Sequence, residues 1–505
     1  MRSGLDEKSS RIWVALFSAA FILLALLLFD PKPDTGGDNV VYMILAESLR
    51  TGQGYADIFL PGAPAHIQYP FGLPVLLSLV FGFAGGISVT GAKVLVMLFG
   101  VGAMVFCLLL YGRVLGRQAR WAMAAVVSMP MFATAAHRVL TEIPFLCVSL
   151  GALYFLVRGE QEDSEWSWWA GTVLAVAGTL LRTAGIALVV AVVVHLLVKR
   201  RFWNFAGLAA LFLALFVPWQ VRNTMAGAGP SYLDYLLAKD PYVADFGRID
   251  VGDFAVRIGT NLMRFVFEVV PMAFLAVLGK GLIAWAVGLV LLVLLKTGFW
   301  GRFGHWTVLA PYGVLGFLVL LAWPEVWTGE RFALPLIPVL AVYVFIGVDK
   351  LGRRLRLKRA VPVAAAAVVA LNLVAVGIRA AEAIPDWTRY ARGDRYAGYS
   401  PGWRRYMQAA EWLRNSVAKD RVVLARKPEF VFLESGLRSF CYPFTNDRAR
   451  VQAAVDSSDY VVIEDFTWTE TAKHFLVPVL HQKPQAYRTV HTTGPPEVFV
   501  LEVLR

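Results

Sequence analysis

The chain has few charged residues and few cysteines. Only 17% of its 505 residues are Asp, Glu, Lys or Arg, whereas 58% are hydrophobic. Soluble domains carry about 25% charged residues, so this composition excludes an ordinary soluble globule. Cys107 and Cys147 fall within hydrophobic runs and Cys441 stands alone. Neither a disulfide framework nor a cysteine metal cluster is therefore expected.

What the chain has instead is hydrophobic runs of membrane-spanning length. The first, at 12–29, follows a short segment with Arg2, Lys8 and Arg11 that resembles the start of a signal peptide. No small-residue cleavage site follows, so an uncleaved span is expected. The other predicted spans lie at 90–112, 119–136, 143–158, 168–182, 183–198, 203–220, 271–295, 305–323, 332–349 and 360–379. The sequence thus predicts a polytopic α-helical membrane protein with about eleven transmembrane helices.

The basic residues predict how these helices are oriented. The run at 71–86 is either a span or a helix that dips into the bilayer and returns. If it does not span, all the basic clusters fall on the side of the N-terminus, which the positive-inside rule assigns to the cytoplasm. The clusters are Arg113/Arg117/Arg120, Arg158, Lys199/Arg200/Arg201, Lys296/Arg302 and Lys350/Arg353/Arg354/Arg356/Lys358/Arg359. Because the net charge of +12 is spread between the hydrophobic runs, a membrane-lipid environment is expected and a nucleic-acid partner is not.

The loops at 30–89, 137–142, 221–270 and 324–331 and the tail then lie outside the cytoplasm, across a cytoplasmic (inner) membrane. A membrane domain at 1–379 is followed by a small extracytoplasmic α/β domain at 380–505. This tail has ordinary charge density, an amphipathic helix pattern at 403–417, and histidines too scattered to indicate a metal site. Strands are predicted at 421–425, 429–433, 459–463 and 498–503.

The first outer loop, at 30–89, concentrates ionisable groups beside the membrane. Asp38 opens a segment whose apolar residues recur at helical spacing, so interfacial helices are expected in this loop. Tyr69-Pro70-Phe71-Gly72-Leu73-Pro74 closes it and cannot be a regular helix. Two interpretations of Asp38 stay open: a helix N-cap, or a residue that acts in chemistry.

Other charged residues interrupt hydrophobic sequence at predicted outer ends. Glu142 either caps a helix, pairs with Arg138 or has a function; Arg182 either extends to the interface or binds an anion. Arg331 forms a surface pair with Glu330 or contributes to an anion site. An amphipathic interfacial helix is predicted at 251–269. Lys280 is predicted inside the next span.

Several fragments together resemble the GT-C superfamily of polyprenyl-phosphate-dependent glycosyltransferases. The resemblance is closest to bacterial relatives of protein O-mannosyltransferases and of the lipid A aminoarabinose transferase. The fragments are Asp38, Leu45-Ala46-Glu47-Ser48-Leu49 with Gly52-Gln53-Gly54-Tyr55, Tyr69-Pro70-Phe71-Gly72, Thr141-Glu142-Ile143-Pro144, Leu181-Arg182-Thr183, Pro218-Trp219 with Arg222-Asn223, and Glu330-Arg331-Phe332 with Leu334-Pro335.

This resemblance implies a GT-C fold and an inverting transfer of a sugar from a polyprenyl-phosphate donor to an acceptor hydroxyl on a protein, lipid or glycan. It maps the catalytic acids onto Asp38 and Glu142. The donor phosphate would be bound by Arg182, Arg331 and Arg138, and Tyr55, His66 and Tyr69 would belong to the substrate loop. Asn39 stands where many relatives have a second acid. No metal or other cofactor is assigned, and a divalent cation stays open.

Two other functions are consistent with many membrane helices and a few charges between them. A transporter is one, although no matched halves are visible in the sequence. The other is a polymerase or ligase of undecaprenyl-diphosphate-linked glycans, for which a diphosphate leaving group would favour more cationic residues in the outer loops.

Overall fold

The computed structural model describes residues 7–36, 38–227, 232–300 and 308–504. Helices dominate the first four-fifths of the chain. In chain order they are α1 (Glu7–Leu27), α2 (Asn39–Arg50), α3 (Gly72–Ala84), α4 (Val89–Leu115), α5 (Ala119–Ser128), α6 (Pro130–Ala135), α7 (Glu142–Glu162), α8 (Glu165–Leu181), α9 (Ile186–Val198), α10 (Phe202–Ala226), α11 (Tyr232–Leu237), α12 (Val251–Arg264), α13 (Val270–Phe274), α14 (Leu282–Trp300), α15 (Leu309–Ala322), α16 (Glu330–Ala333), α17 (Ile337–Arg354) and α18 (Ala360–Ala391).

Several of these helices are long and apolar enough to cross a membrane. Within the described ranges there are six such segments, Ser10–Leu27, Val89–Ser128, Glu142–Glu162, Phe202–Ala226, Leu282–Trp300 and Ala360–Ala391. Shorter apolar helices pack among them and complete a mainly hydrophobic core. The chain is a multi-pass membrane protein, which confirms the predicted class. Arg2, Arg302 and the start of the predicted span at 305–323 lie outside the described residues.

The predicted span at 271–295 is wrong in its bounds. The chain leaves α13 at Phe274, turns, and starts α14 only at Leu282. Gly281 has a φ of +139°, which favours glycine and stops a continuous helix here. Lys280 therefore lies in the turn instead of inside a span, with its Nζ 3.3 Å from Glu268 Oε2.

The ambiguous run at 71–86 forms α3. Its 13 residues measure about 20 Å, which is short of the bilayer core of about 30 Å. Pro74 sits in its first turn, where a missing N–H is tolerated, so Gly72 and Leu73 are already helical in part of the motif predicted to be irregular. Gly72 packs closely on the end of α8, because a Cβ added there would lie 2.5 Å from the Leu180 carbonyl oxygen.

The loops at the ends of α4, α7 and α9, which carry Arg113 and Lys199, lie together on one face of the bundle. Arg113 Nη2 is 2.5 Å from Glu162 Oε1, and Lys199 Nζ is 2.5 Å from Glu160 Oε1. These contacts join the ends of α4, α7 and α9. The loops that hold the predicted site residues lie at the opposite ends of these helices. These basic residues thus lie on one face of the bundle and the candidate site lies on the opposite face.

The predicted interfacial helix at 251–269 is present as α12 and a following π-turn, Phe265–Val269. Asp250 and Asp253 form a reciprocal capping box that fixes its start. Buried Arg257 donates to the carbonyls of Leu236 and Ala238, at 2.5 and 2.6 Å. These bonds hold α11 beside α12.

The tail forms a small α/β unit. Its elements are α19 (Pro401–Ser416), β1 (Val422–Leu424), α20 (Pro428–Ser435), β2 (Arg438–Phe440), α21 (Arg448–Asp456), β3 (Tyr460–Ile463), α22 (Val477–Leu480), β4 (Tyr487–Thr492) and β5 (Phe499–Val503). The sheet order is β2-β1-β3-β5-β4, with β1 parallel to β2 and β3, and β5 antiparallel to β3 and β4. The boundary at 380 stays a prediction, since α18 continues unbroken through it.

The predicted strand at 429–433 is wrong, because these residues form α20. Pro428 lies at its start and Gly436 ends it with a left-handed φ of +72°. Proline at the first turn and glycine just past the end are the termini that a short helix favours. β2 and β4 were not predicted.

The tail packs onto the outer loops. The Ser439 N–H donates to the Phe59 carbonyl at 2.7 Å, and Met43 and Ile44 of α2 are fully buried beside it. Asp245 accepts hydrogen bonds from Thr445 Oγ1 at 2.9 Å and from the Asn446 N–H at 3.2 Å. The outer loops at 30–89 and 221–270 are thus covered by the same unit.

Candidate active site

Asp38 occupies the N-cap position of α2, but its side chain makes no capping hydrogen bond. Only its carbonyl serves the helix, by accepting the Tyr42 N–H at 3.1 Å. The side chain is half-buried, and no Lys, Arg or His of the described ranges forms an ion pair with it. The capping interpretation of the sequence is therefore wrong for this carboxylate, which is available to other groups.

Tyrosine side chains surround Asp38. Tyr69 lies close to Asp38, and its ring centroid lies 5.1 Å from that of Tyr42. Burial, followed by the negative charge of Asp38, holds the pKa values of Tyr42 and Tyr69 well above their usual range. Both hydroxyls therefore stay protonated at neutral pH.

Glu142 is the second predicted acid, and it lies in the first turn of α7 with only 3% of its surface exposed. Its Oε1 is 2.8 Å from Arg182 Nη1 and 3.3 Å from Arg331 Nε. The structure thus brings together three of the predicted residues from α7, the end of α8 and α16. One carboxylate here faces two guanidinium groups.

The two arginines also share an aromatic surface. The guanidinium carbons of Arg182 and Arg331 lie 5.5 and 4.7 Å from the centroid of the Phe332 ring. Arg182 follows the last residue of α8 with an extended backbone, which turns its side chain toward α7. The pair carries more positive charge than Glu142 neutralises, so the cluster has the charge to bind an anion.

The Glu142 cluster and Asp38 lie near the same tyrosines. Glu142 adds to the increase in the pKa of Tyr42, whereas Arg182 opposes it. Tyr232 donates its hydroxyl to the Gln68 carbonyl at 3.0 Å, and its pKa responds to both Arg182 and Asp38. Tyr42 and Tyr232 are thus within electrostatic reach of both groups. The sequence analysis missed both, although Tyr42 lies four residues after Asp38 on a helix and shares its face.

Arg138 is placed differently from the other two arginines. Its Nε lies 2.9 Å from Asp34 Oδ2, and 43% of its side chain is exposed. The predicted alternative of a Glu142 to Arg138 pair is therefore wrong, and Asp34 is a partner that the sequence analysis did not identify. The structure does not bring Arg138 into the Glu142 cluster.

Tyr55 and His66 lie in the loop between α2 and α3, where they contact main-chain groups. Tyr55 donates its hydroxyl to the carbonyls of Tyr69 and Pro70, at 2.9 and 3.2 Å. His66, with 4% of its surface exposed, bonds Asp57 and the Tyr69 N–H. Arg222 of α10 donates to the carbonyls of His66 and Tyr55, at 2.6 and 2.8 Å. These residues fix the loop that carries Tyr69.

Oxygen and nitrogen ligands for a metal are not gathered here. In the described ranges, no three His, Cys, Asp or Glu side chains come together at one point. The arrangement is instead an unpaired carboxylate among tyrosine hydroxyls, facing a pair of arginines. Such a site can accept a proton on one side and bind a phosphate on the other.

The fold matches that of solved membrane glycosyltransferases. ArnT from Cupriavidus metallidurans bound to undecaprenyl phosphate gives a TM-score of 0.60 at 15% identity, covering 97% of this chain and 98% of that one. The Archaeoglobus fulgidus oligosaccharyltransferase in a complex with Zn and sulfate gives 0.60 at 15%, covering 97% and 73%. The mycobacterial arabinofuranosyltransferase AftD gives 0.51 at 16%, covering 98% and 40%. The chain has the GT-C fold, as predicted.

A sequence match points the same way. Residues 68–221 match the family model described as dolichyl-phosphate-mannose-protein mannosyltransferase. This segment includes Glu142 and Arg182 and ends at Val221, within α10. No curated protein matches the chain in sequence. The fold and this match over part of the chain agree with the predicted class, a membrane glycosyltransferase.

Proposed function

We propose that the protein transfers a sugar from a polyprenyl-phosphate donor to an acceptor hydroxyl, with inversion at the anomeric carbon. The observation that carries this proposal is the pairing of two unlike centres in one site. Asp38 is a carboxylate with no cationic partner in the described ranges, and Arg182 and Arg331 are cations that share a single carboxylate.

Asp38 is the general base in this mechanism. As the acceptor oxygen forms its bond to the anomeric carbon, the hydroxyl proton passes to the Asp38 carboxylate. The bond from the anomeric carbon to the donor phosphate breaks in the same step, and its electron pair leaves with the phosphate. Attack from the face opposite the leaving group gives inversion.

Arg182 and Arg331 stabilise the leaving phosphate. The phosphate gains negative charge as the glycosidic bond breaks, so fixed cations favour the transition state over the ground state. Glu142 holds both guanidinium groups through Oε1 and is a positioning residue in this scheme. Two structural relatives support a lipid-phosphate donor: ArnT is bound to undecaprenyl phosphate, and the Archaeoglobus fulgidus enzyme AglB is in complex with a dolichol-phosphate.

We place the site at the outer face of the cytoplasmic membrane. The basic loops of α4, α7 and α9 lie on the opposite face of the bundle, and the positive-inside rule assigns such a face to the cytoplasm. A polyprenyl donor keeps its tail in the bilayer, so its phosphate reaches helix ends such as those of α7 and α8. The GT-C fold argues against the transporter alternative.

The test compares Asp38→Asn with Asp30→Asn in the full chain purified in detergent. Asp30 lies in the same outer loop and pairs with Lys32 at 2.5 Å, so the control makes the same chemical change away from Tyr69. Each protein is incubated with radiolabelled polyprenyl-phosphate sugars and a mixture of membrane, glycan and protein acceptors. Loss of label from the lipid is measured.

Turnover by the wild type and by Asp30→Asn is expected, with a loss of about 100-fold or more in Asp38→Asn. The anomeric configuration of the product, read by NMR, is expected to be opposite to that of the donor. Full activity of Asp38→Asn would overturn the assignment of the base, and retained configuration would overturn the single displacement.

A further inference from the structure

The tail has a crevice at one end of its sheet. Its three parallel strands lie in the order β2-β1-β3, so the segments that follow them meet at the same end. Val423 of β1 belongs to the apolar cluster that contains α20, whereas the next residue, Leu424, belongs to the cluster that contains α22. Successive residues of a strand point to opposite faces, so the chain leaves β1 and β3 toward opposite faces of the sheet. In open α/β sheets, ligands bind at such a point outside the carboxyl ends of the strands.

Arg426, two residues after β1, is held in this crevice by two aromatic rings. Its guanidinium carbon lies 4.5 Å from the centroid of Phe444 and 5.2 Å from that of Trp468. Its Nε donates to Thr471 Oγ1 at 3.0 Å. Its two terminal nitrogens have no hydrogen-bond or ion-pair partner in the described part of the chain. The side chain is thus fixed in place with its fork of donors unused.

Glu464 has an unused oxygen in the same crevice. It follows β3 directly, and only 6% of its surface is exposed. Tyr442, after β2, donates to Glu464 Oε1 at 3.3 Å, and its hydroxyl lies 3.2 Å from Thr471 Oγ1. Hydrogen bonds through Tyr442 and Thr471 therefore connect Glu464 to Arg426. The second oxygen, Oε2, is buried and has no partner among the described residues, so it is available to a hydroxyl of a ligand.

A second cation and an exposed indole border the crevice. Lys427 Nζ lies 5.8 Å from the centroid of Trp468 and 3.6 Å from Glu429 Oε1. Trp468 is 48% exposed. Burial raises the pKa of Glu464 to about 7, so at neutral pH this carboxyl opposes a bound anion less than an ordinary carboxylate would.

The crevice lies beside the outer loop at 221–270. Phe444, which contacts the guanidinium, is followed by Thr445, and Thr445 donates to Asp245 Oδ2 at 2.9 Å. The same loop contains Tyr232, which lies near the candidate active site. A ligand in the crevice is therefore on the side of the tail that packs against the outer loops of the membrane domain.

We propose that this crevice binds a saccharide that carries a carboxylate or a phosphate, with the anion on the terminal nitrogens of Arg426 and a sugar hydroxyl on Glu464. A guanidinium fork matches two oxygens of either anion. Trp468 offers the sugar ring an apolar surface. The choice of a saccharide rests on the proposed function, whereas the anion contact rests on the tail alone.

Binding is measured in the full chain, purified in detergent and labelled with 5-fluorotryptophan at its 16 tryptophans. The 19F signal of Trp468 is assigned by its absence in Trp468→Phe and is titrated with glucuronate, glucose 6-phosphate, inorganic phosphate and glucose. One of the two sugar acids is expected to saturate the shift at a concentration at least about tenfold below those of glucose and inorganic phosphate. Saturation by glucose at the same concentration would overturn the anion contact. Equal affinity for inorganic phosphate would overturn the saccharide.

Arg421→Gln is the matched control for Arg426→Gln. Arg421 lies at the amino end of β1, at the opposite end of the sheet, where it pairs with Asp459 at 3.1 Å and is 52% exposed. Arg426→Gln is expected to weaken binding of the preferred acid by about tenfold or more, because a charge-assisted contact is lost, and Arg421→Gln is expected to leave it unchanged. Equal affinities of these two variants would overturn the proposal.

Arg426→Lys keeps a charge beside the two rings but lacks the fork. Its affinity is expected to fall between those of the wild type and Arg426→Gln, and thermal unfolding of each protein reports any general loss of stability. Because this variant removes the least packing, it keeps the test decisive if Arg426→Gln does not fold. An affinity equal to that of the wild type would overturn the contact through two nitrogens.

The radiolabel assay separates this proposal from the proposed function. If Asp38→Asn keeps full turnover while the Trp468 signal responds to a sugar acid, the proposed base fails and the tail site stands. If turnover depends on Asp38 while none of the four compounds shifts the signal, the tail site is refuted and the proposed function stands.

Discussion

Replacing Glu142 with Gln tests the charge balance of the site. The change removes a buried negative charge and leaves two arginines without their carboxylate. Breaking a fully buried ion pair costs about 3–5 kcal/mol. The Arg331 side chain is 30% exposed and partly screened by water, so we expect the lower end, about 3 kcal/mol. For a chain of this length the melting temperature would fall by about 3 °C.

The response to a lipid phosphate separates this effect from ordinary destabilisation. In the wild type, Glu142 competes with the phosphate for the same guanidinium groups. In Glu142→Gln both arginines are unpaired, so undecaprenyl phosphate should raise the Tm of the variant more than that of the wild type. Turnover should nevertheless fall, because the arginines lose the group that orients them. Thermal unfolding in detergent, with and without the lipid, measures the first effect, and the radiolabel assay measures the second.

Glu47→Gln is the matched control. Glu47 pairs with Arg50 at 2.6 Å on the exposed side of α2, where an ion pair contributes little to stability. Its Tm and its response to lipid should match the wild type. If Glu142→Gln also melts like the wild type and gains no more from undecaprenyl phosphate, Glu142 does not hold the arginines and the assignment of the phosphate site is refuted.

Three further predictions concern the fold. Gly72→Ala should lower both Tm and turnover, because the added Cβ would lie 2.5 Å from the Leu180 carbonyl and force α3 away from α8, whereas Gly82→Ala, with nothing within 4 Å, should change neither. Burial raises the pKa of Glu464 to about 7, so the folded state holds a proton that the unfolded state releases above pH 4.5. Stability should fall by about 3 kcal/mol as pH rises from 4.5 through 7, and Glu464→Gln should abolish this decline in a Tm series; an unchanged series would contradict it. If the tail lies outside the cytoplasm, alkaline phosphatase fused after Leu504 should be active, and green fluorescent protein fused at the same place should not fluoresce. The reverse result would contradict the proposed orientation.

The membrane fold could be predicted from the sequence because lipid imposes one requirement, a helix of sufficient apolar length. The errors have local causes. Hydropathy averaged over 271–295 hides the turn at Gly279 and Gly281, since glycine does not lower the hydrophobicity much. Residues 429–433 combine apolar and polar positions that fit either a strand or a short helix, and only the flanking Pro428 and Gly436 favour the helix. β2 has three residues, too few to show a period.

The sequence predicts which residues belong to the candidate site better than it predicts which of them form ion pairs with each other. Glu142, Arg182 and Arg331 each interrupt apolar sequence at a helix end, which marks them individually. Which arginine contacts which acid depends on how α7, α8 and α16 pack. That is why Arg138, four residues from Glu142 in sequence, pairs instead with Asp34. His66 and Asp57 are nine residues apart in an irregular loop, where no periodicity indicates that they meet.

The surroundings of the two acids support different roles for them. A general base must give up its negative charge in the transition state, and a carboxylate held by two arginines resists protonation. Glu142 is such a carboxylate, so it is suited to hold cations and poorly suited to accept a proton. Asp38 lies close to Tyr69 and has, within the described part of the chain, no cation partner. Accepting a proton there breaks no ion pair. The pairing of the charges thus favours the proposed roles, proton transfer for Asp38 and orientation of the arginines for Glu142.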